Sequence, residues 1–148
     1  MRLHNVMIKN EKQYKITQTW LKDFERTLKL CMKEKTPNAM VHKAMIGSIK
    51  SKINDLKKEM RAYQKLKDKK PSRLEFPSIK DLPKILIQAR ISHGYTQKQF
   101  AKKLKMPEQQ IQRYEAENYR RVSLETLMRV CLELKVDVAK DSKVRIEY

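Results

Sequence analysis

The sequence predicts an all-helical (all-α) fold in which an N-terminal helical hairpin, a coiled-coil segment, precedes a domain of four to five short helices. Apolar residues recur at three- and four-residue steps along most of the chain, which is the helical period. Only two of the 148 residues are glycine, so tight hairpins and glycine-rich loops have few positions at which to form. Hydrophobic residues make up 40% of the chain, enough for one modest core plus an appended helical element.

The first predicted helix runs over residues 18–35, with Thr17 as its N-cap. Its apolar positions recur at helical spacing: Trp20 or Leu21, Phe24, Leu28, and Cys31 or Met32. The segment Thr36-Pro37-Asn38 then breaks the helix, because proline cannot continue it.

A longer second helix follows, with a strict heptad stripe. The stripe consists of Ile46, Ile49, Ile53, Leu56, Met60 and Tyr63. It can pack against the first helix of the same chain or form the contact between two subunits, and both alternatives stay open. Because two helices alone make a thin core, a dimer is favoured.

Three segments of the chain differ in composition. Residues 1–70 contain 19 basic and 7 acidic residues and form the predicted hairpin, a dimerisation or partner-binding segment. Residues 71–78 include Pro71 and Pro77 without helical periodicity, which predicts a linker. Residues 79–148 hold the remaining helices and a C-terminal tail.

Four short helices are predicted in this third segment from their caps and periodicity. Their expected bounds are Leu82 to Ser92, Gln97 to Leu104, Glu108 to Glu115 or Ala116, and Leu124 to Lys135. Gly94 is expected to end the first, while Thr96 and Ser123 cap the second and fourth. The expected buried side chains of the second and third helices are Phe100, Ala101, Leu104, Ile111 and Tyr114. Weak edge-strand patterns occur at Val6 to Ile8, Tyr14 to Ile16 and Lys143 to Tyr148.

Several function classes are excluded on composition and motifs. Walker and dinucleotide motifs are absent, and no nucleophile-base pair or paired carboxylates argue for an enzyme. Cys31 and Cys131 are far apart and are expected to be reduced and buried; with the isolated histidines they indicate no metal site and no cofactor. No signal peptide or membrane span is visible, so the expected location is the cytoplasm, in association with the nucleoid.

The charge of the chain predicts a polyanionic partner. Lysine and arginine number 35 against 17 acidic residues, giving a net charge of +18. Clustered basic residues gain free energy by releasing counterions from phosphate backbones. Double-stranded DNA is therefore the leading predicted partner, ahead of an acidic membrane surface or an acidic protein.

The second and third of the short helices, joined by the turn Lys105-Met106-Pro107, meet the physical requirements of a helix-turn-helix DNA reader. The outer face of the third helix carries glutamine and arginine, which form bidentate hydrogen bonds with adenine and guanine edges in the major groove.

Residues 85–136 resemble the Cro/lambda-repressor (XRE) family of helix-turn-helix regulators, through ARISHGYTQKQFAKKLKMPEQQIQRYE followed by SLETL. The resemblance implies that Gln97 contacts a phosphate and supports the third helix, and that Arg90 and Glu115 form an internal ion pair. It implies base-facing roles for Glu108, Gln109, Gln110 and Arg113, with Gln112 on the same exposed face. Expected phosphate contacts flank this helix at Lys98, Lys102, Arg120 and Arg121.

The sequence departs from the family pattern in two places. Pro107 stands where a capping serine or threonine is usual, and the loop after the third helix lacks the common glycine. Glu108 places a negative charge near DNA, where it either accepts a hydrogen bond from cytosine or disfavours other bases; both alternatives stay open.

These features together predict a sequence-specific regulator, most simply a dimeric repressor on a two-fold operator. The resemblance extends to HigA-type antitoxins, which repress their own operon and neutralise a toxin protein. The alternative is an adaptor or antitoxin whose main target is an acidic protein rather than DNA.

Overall fold

A computed structural model of the chain describes residues 7–34, 38–69 and 79–136, and the regular structure in these ranges is entirely helical. The predicted all-helical fold is confirmed. The chain divides into two compact units, residues 1–68 and 69–148. The helices are α1 (Glu11–Lys33) and α2 (Ala39–Lys69) in the first unit, then a 3-10 turn (Ile79–Asp81), α3 (Leu82–Ser92), α4 (Gln97–Lys103), α5 (Glu108–Ala116) and α6 (Leu124–Glu133).

Helix α1 begins seven residues earlier than the sequence predicts. The Asn10 side chain accepts a hydrogen bond from the Gln13 backbone N–H at 2.9 Å, and Glu11 places an acidic group in the first turn. The prediction of Thr17 as the cap is wrong, because Thr17 lies inside α1 and is buried. The weak strand at Tyr14 to Ile16 is wrong for the same reason.

The other weak strand patterns have different outcomes. Met7 and Ile8, the described part of the first pattern, do not form a strand. The pattern at residues 143–148 lies outside the described residues, as does the predicted linker at 71–78.

Helices α1 and α2 form an antiparallel hairpin. Asn38 caps α2, because its side-chain oxygen accepts from the backbone N–H groups of Met40 and Val41. Near one end of the hairpin, the rings of Tyr14 and Tyr63 lie with their centroids 5.3 Å apart. Near the other end, His42 Nε2 lies 2.7 Å from the Cys31 carbonyl oxygen.

Each helix of the hairpin contributes one apolar stripe with three- and four-residue steps. On α2, the side chains of Ile53, Leu56 and Tyr63 are buried, and the other members of the predicted stripe are half-buried. The facing stripe on α1 consists of Tyr14, Thr17, Leu21, Phe24, Leu28 and Cys31. The heptad stripe therefore packs within a single chain.

The core of the second unit is built from all four of its α-helices. The side chains of Leu86, Phe100, Ile111 and Val130 are fully buried. Tyr114 is only half-buried, contrary to the expectation, and the buried tyrosine of this region is Tyr119 in the loop that follows α5. These contacts hold α4 and α5 against α3 and α6.

Left-handed residues end the helices of the second unit. Gly94 after α3 has a φ of 74°, as the sequence predicts. Three non-glycine residues take the equivalent position after the other helices, Lys105 at 54°, Asn118 at 51° and Lys135 at 53°. In consequence α6 ends at Glu133, two residues before its predicted end.

Neither cysteine is fully buried. Cys31 and Cys131 are free thiols and half-buried, which corrects the expectation of complete burial. Burial nevertheless raises the pKa of the Cys131 thiol above its ordinary value.

Candidate nucleic-acid interface

The turn between α4 and α5 is closed by local hydrogen bonds that the sequence specifies. Thr96 and Gln99 form a capping box at the start of α4: the Thr96 hydroxyl accepts from the Gln99 N–H, and the Gln99 side chain accepts from the Thr96 N–H. After α4, the Met106 N–H donates to the Ala101 carbonyl across the left-handed Lys105. Pro107 then begins α5 without a side-chain capping bond. The two helices are thus held at a fixed, short separation.

The outer face of α5 presents the residues that the sequence assigns to base recognition. Gln109, Gln112 and Arg113 are exposed, while Glu108 and Gln110 are partly exposed. The Gln112 amide donates to Glu108 at 3.0 Å, and the Arg113 guanidinium donates to Gln110 at 3.1 Å. Gln109 makes no such contact with another described residue. On this face, therefore, the Gln109 amide is not hydrogen-bonded to another described side chain, while the other four side chains are held in two hydrogen-bonded pairs.

A buried ion pair fixes the opposite side of α5. Arg90 on α3 donates two hydrogen bonds to the Glu115 carboxylate, at 2.5 and 2.9 Å, and both side chains are about 2% exposed or less. The Arg90 guanidinium also donates to the Tyr95 carbonyl at 2.7 Å. A bidentate guanidinium–carboxylate pair is strongly directional, so it sets the rotation of α5 relative to α3.

Gln97 belongs to the same buried network. Its side-chain amide donates to the Glu115 carboxylate at 2.8 Å, and its exposed fraction is 9%. The structure thus places Gln97 where it supports α5, and the phosphate contact that the resemblance implies stays a prediction.

Tyr119 lies beside this network with an unusual environment. It has a φ of 55° and is 6% exposed, and its hydroxyl has no hydrogen-bond partner among the described residues. Burial, followed by the nearby Glu115 carboxylate, raises the pKa of the Tyr119 phenol well above its ordinary value of 10.0. No local pattern in the sequence marks this residue, because it lies in a polar loop outside the helical periodicity.

The four cations that are predicted to contact phosphates are all exposed. Lys98 and Lys102 are exposed on α4, and Arg120 and Arg121 are exposed in the loop after α5. The two arginines line a hollow of about 390 Å³ together with Ala116, Glu117 and Asn118. The loop thus presents a polar concavity with two guanidinium groups directly after the base-facing helix.

Three contacts that sequence reasoning missed brace this arrangement. Lys103 pairs with Glu133 on α6 at 3.1 Å, and hydrogen bonding to that carboxylate raises the lysine pKa. Arg129 donates to the Leu104 carbonyl at 2.9 Å. His93 Nε2 lies 2.9 Å from the carbonyl oxygen of residue 134, which ties the ends of α3 and α6 together. Such long-range pairs leave no local pattern in the sequence.

No group of three or more histidine, cysteine or acidic side chains could hold a metal ion in the ranges that the structure covers. Among the described helices, none combines the length and hydropathy that crossing a membrane requires.

Comparison with known families assigns the second unit. Residues 86–140 match the family model HTH_3, described as helix-turn-helix. The second unit carries a helix-turn-helix domain. The match supports the Cro/lambda-repressor (XRE) resemblance and a DNA-binding regulator. No curated protein and no solved structure matches the chain.

Proposed function

We propose that the chain is a sequence-specific DNA-binding transcriptional regulator that inserts α5 of its helix-turn-helix domain into the major groove. The observation that carries the proposal is the two-sided character of α5. Its inner side is fixed by the buried pair of Arg90 and Glu115, while Gln109, Gln112 and Arg113 stand exposed on the other side. A rigid helix with outward amide and guanidinium groups is what direct readout of base edges requires.

The flanking cations support the same orientation on DNA. Lys98, Lys102, Arg120 and Arg121 lie before and after α5 in the chain, and all four are exposed. In such an arrangement the flanking groups bind phosphates and fix the register, while the helix between them reads the bases.

The experiment that tests this function compares two double variants of the full chain. Gln109→Ala with Arg113→Ala should change which sequences bind, with each lost bidentate contact reducing discrimination by about 1 to 3 kcal/mol. Lys98→Gln with Lys102→Gln should weaken binding to all sequences alike. If neither variant alters DNA binding, the helix-turn-helix is not used on DNA and the proposal fails.

We further propose that the regulator acts as a homodimeric repressor, since one recognition helix buries too little surface to be selective alone. Two readers would then bind half-sites about 34 to 36 Å apart on a two-fold operator. Because the α2 stripe packs within its own chain, we place the subunit contact on α6. There Leu124, Met128 and Leu132 form an apolar row that is 57 to 76% exposed.

The spacing of this α6 row fits a two-fold contact. Leucine stands four residues before and four residues after Met128, so the row is the same in both directions. Two antiparallel copies of α6 would therefore bring each Leu124 to a leucine of the other copy, as isologous contacts require.

Measured mass in solution separates the two candidate contacts. Met128→Asp should convert a dimer to a monomer with an intact fold, whereas Ile49→Asp on the α2 stripe should leave the dimer in place. If Ile49→Asp is a monomer while Met128→Asp remains a dimer, the subunit contact lies on the heptad stripe of α2 and not on α6. A monomeric wild-type chain would refute dimerisation itself.

The finer assignment is that of a HigA-type antitoxin that represses its own operon and binds a toxin protein. The resemblance of residues 85–136 and the basic first unit support it. The competing reading, an adaptor for an acidic protein, predicts that Gln109→Ala with Arg113→Ala changes no DNA preference.

A further inference from the structure

The charges of α1 are sorted onto different faces of the helix. All six of its cations lie in one row, at successive steps of three, four or seven residues: Lys12, Lys15, Lys22, Arg26, Lys29 and Lys33. At 3.6 residues per turn, this row is centred on the side of α1 opposite the stripe that faces α2. We call this row the α1 cationic row; it spans about 32 Å at 1.5 Å per residue.

The cations of the α1 cationic row have no acidic partners within the described part of the chain. All six side chains are exposed, and none forms an ion pair with a described carboxylate. Two of the three acidic side chains of α1 form ion pairs with lysines of α2 instead: Glu25 with Lys57 at 2.7 Å, and Glu11 with Lys67 at 3.1 Å.

This arrangement differs from that of an ordinary solvated helix. Glu11 and Lys15, and likewise Glu25 and Lys29, have the four-residue spacing at which a helix pairs its own charges. The structure pairs both carboxylates with α2 instead, so the row keeps its full positive charge. Six like charges on one face repel each other unless a polyanion binds there.

We propose that the α1 cationic row is a second DNA-binding surface that contacts the phosphate backbone of duplex DNA without reading its sequence. The inference rests on the proposed DNA-binding function and adds a contact that the helix-turn-helix does not provide. Phosphates on one strand of duplex DNA repeat about every 3.4 Å, so a 32 Å row of flexible cations reaches several of them at once. Its linear form favours the regular phosphate backbone of a duplex. The aromatic residues of α1, Tyr14, Trp20 and Phe24, lie on other faces of the helix, so the row offers no stacking platform for single-stranded bases.

The test is the salt dependence of DNA affinity in the full chain carrying Lys22→Gln, Arg26→Gln and Lys29→Gln. Loss of three phosphate contacts should reduce the slope of log affinity against log salt by about 2.7. Between 50 and 200 mM salt, the wild-type affinity should therefore fall about 40-fold more than that of the variant. The base preference of the variant should remain that of the wild type, because the row contacts no bases.

Matched controls separate phosphate contact from net charge and from misfolding. Lys43→Gln, Lys50→Gln and Lys58→Gln remove the same charge from exposed lysines of α2 that lie outside the row, and should leave the slope nearly unchanged. Lys22→Arg with Lys29→Arg keeps the charge and should keep the wild-type slope. Far-UV circular dichroism checks that each variant retains its helices.

The outcomes distinguish this inference from the proposed function. An unchanged slope in the row variant, with base preference still lost in the Gln109→Ala, Arg113→Ala variant, overturns the inference alone. Equal slopes in the row variant and in the α2 lysine control also overturn it, since net charge then explains the effect. A reduced slope on random duplexes, with no effect of the Gln109→Ala, Arg113→Ala variant, supports the row and refutes the proposed reader helix.

Discussion

Glu115→Ala should destabilise the helix-turn-helix domain more than a single surface substitution would. The carboxylate accepts three side-chain hydrogen bonds, two from Arg90 and one from Gln97, and it is fully buried. Without it, the Arg90 guanidinium keeps its bond to the Tyr95 carbonyl but loses the carboxylate that accepts two of its hydrogen bonds in the core. Breaking one side of such a pair costs about 3 to 5 kcal/mol.

That loss is large relative to the stability of the domain. A domain the size of residues 79–136 is stable by about 3 to 9 kcal/mol on a typical per-residue basis. For a domain this small, a loss of 3 kcal/mol lowers the Tm by about 12 °C or more. The Glu115→Ala variant should therefore be largely unfolded in its second unit at moderate temperature.

Thermal and urea unfolding followed by far-UV circular dichroism measures the effect in the full chain. The single tryptophan, Trp20, lies in α1, so its fluorescence reports the first unit and should be unchanged. Glu117→Ala serves as the matched control, because that carboxylate is exposed and should cost less than about 0.5 kcal/mol. The double variant Arg90→Met, Glu115→Leu should recover most of the loss, since it leaves no buried charge.

Two results would refute this reasoning. If Glu115→Ala and Glu117→Ala lower the Tm equally, the ion pair does not anchor α5. If the double variant is as unstable as Glu115→Ala, the cost comes from packing rather than from an unpaired charge.

Three further perturbations test other parts of the structure. Tyr119→Phe should stabilise the second unit by about 1 kcal/mol, because it removes a buried hydroxyl that has no hydrogen-bond partner among the described residues. Burial raises the phenol pKa, so the wild type should lose stability as the pH rises above about 10, and the variant should lose less. Identical pH profiles of the two proteins in urea unfolding would contradict this. Gly47→Ala should stabilise the first unit by about 0.5 to 1 kcal/mol, because Gly47 lies inside α2 with open space around its Cα. Gly94→Ala should destabilise the second unit by about 1 kcal/mol, because Gly94 has a φ of 74°. Changes in unfolding free energy of the same sign for both variants would exclude backbone conformation as the cause. Arg120→Ala with Arg121→Ala should lower the salt slope of DNA binding by about 1.8 at unchanged base preference, and a changed preference with an intact slope would show that these arginines contact bases.

The features that could be predicted from the sequence are those that local physics determines. Helix α3 has the predicted bounds, and the start of α4 at Thr96 and of α6 at Ser123 follows from side-chain capping. The start of α1 was missed because two capping residues compete, and the earlier one, Asn10, allows seven more residues to join the helix.

Other features required the tertiary structure. The burial of Tyr119 depends on a left-handed backbone in a loop. The hydrogen bond from Arg129 to the Leu104 carbonyl joins two residues that are 25 positions apart in the sequence. The sequence also left open whether the heptad stripe of α2 packs inside the chain, because heptad spacing is the same for intrachain and intersubunit packing. Ile53 and Leu56 are buried within one chain, and a subunit contact through the stripe stays an untested prediction.

Selection of bound sequences from a random duplex pool tests the central claim most directly. The wild-type chain and the Gln109→Ala, Arg113→Ala variant would be selected in parallel at about 150 mM salt, near physiological ionic strength. We expect an inverted-repeat site for the wild type, with half-sites about one helical turn apart, and loss of that site in the variant. Recovery of no motif by the wild type, or of the same motif by both proteins, would contradict base recognition by α5.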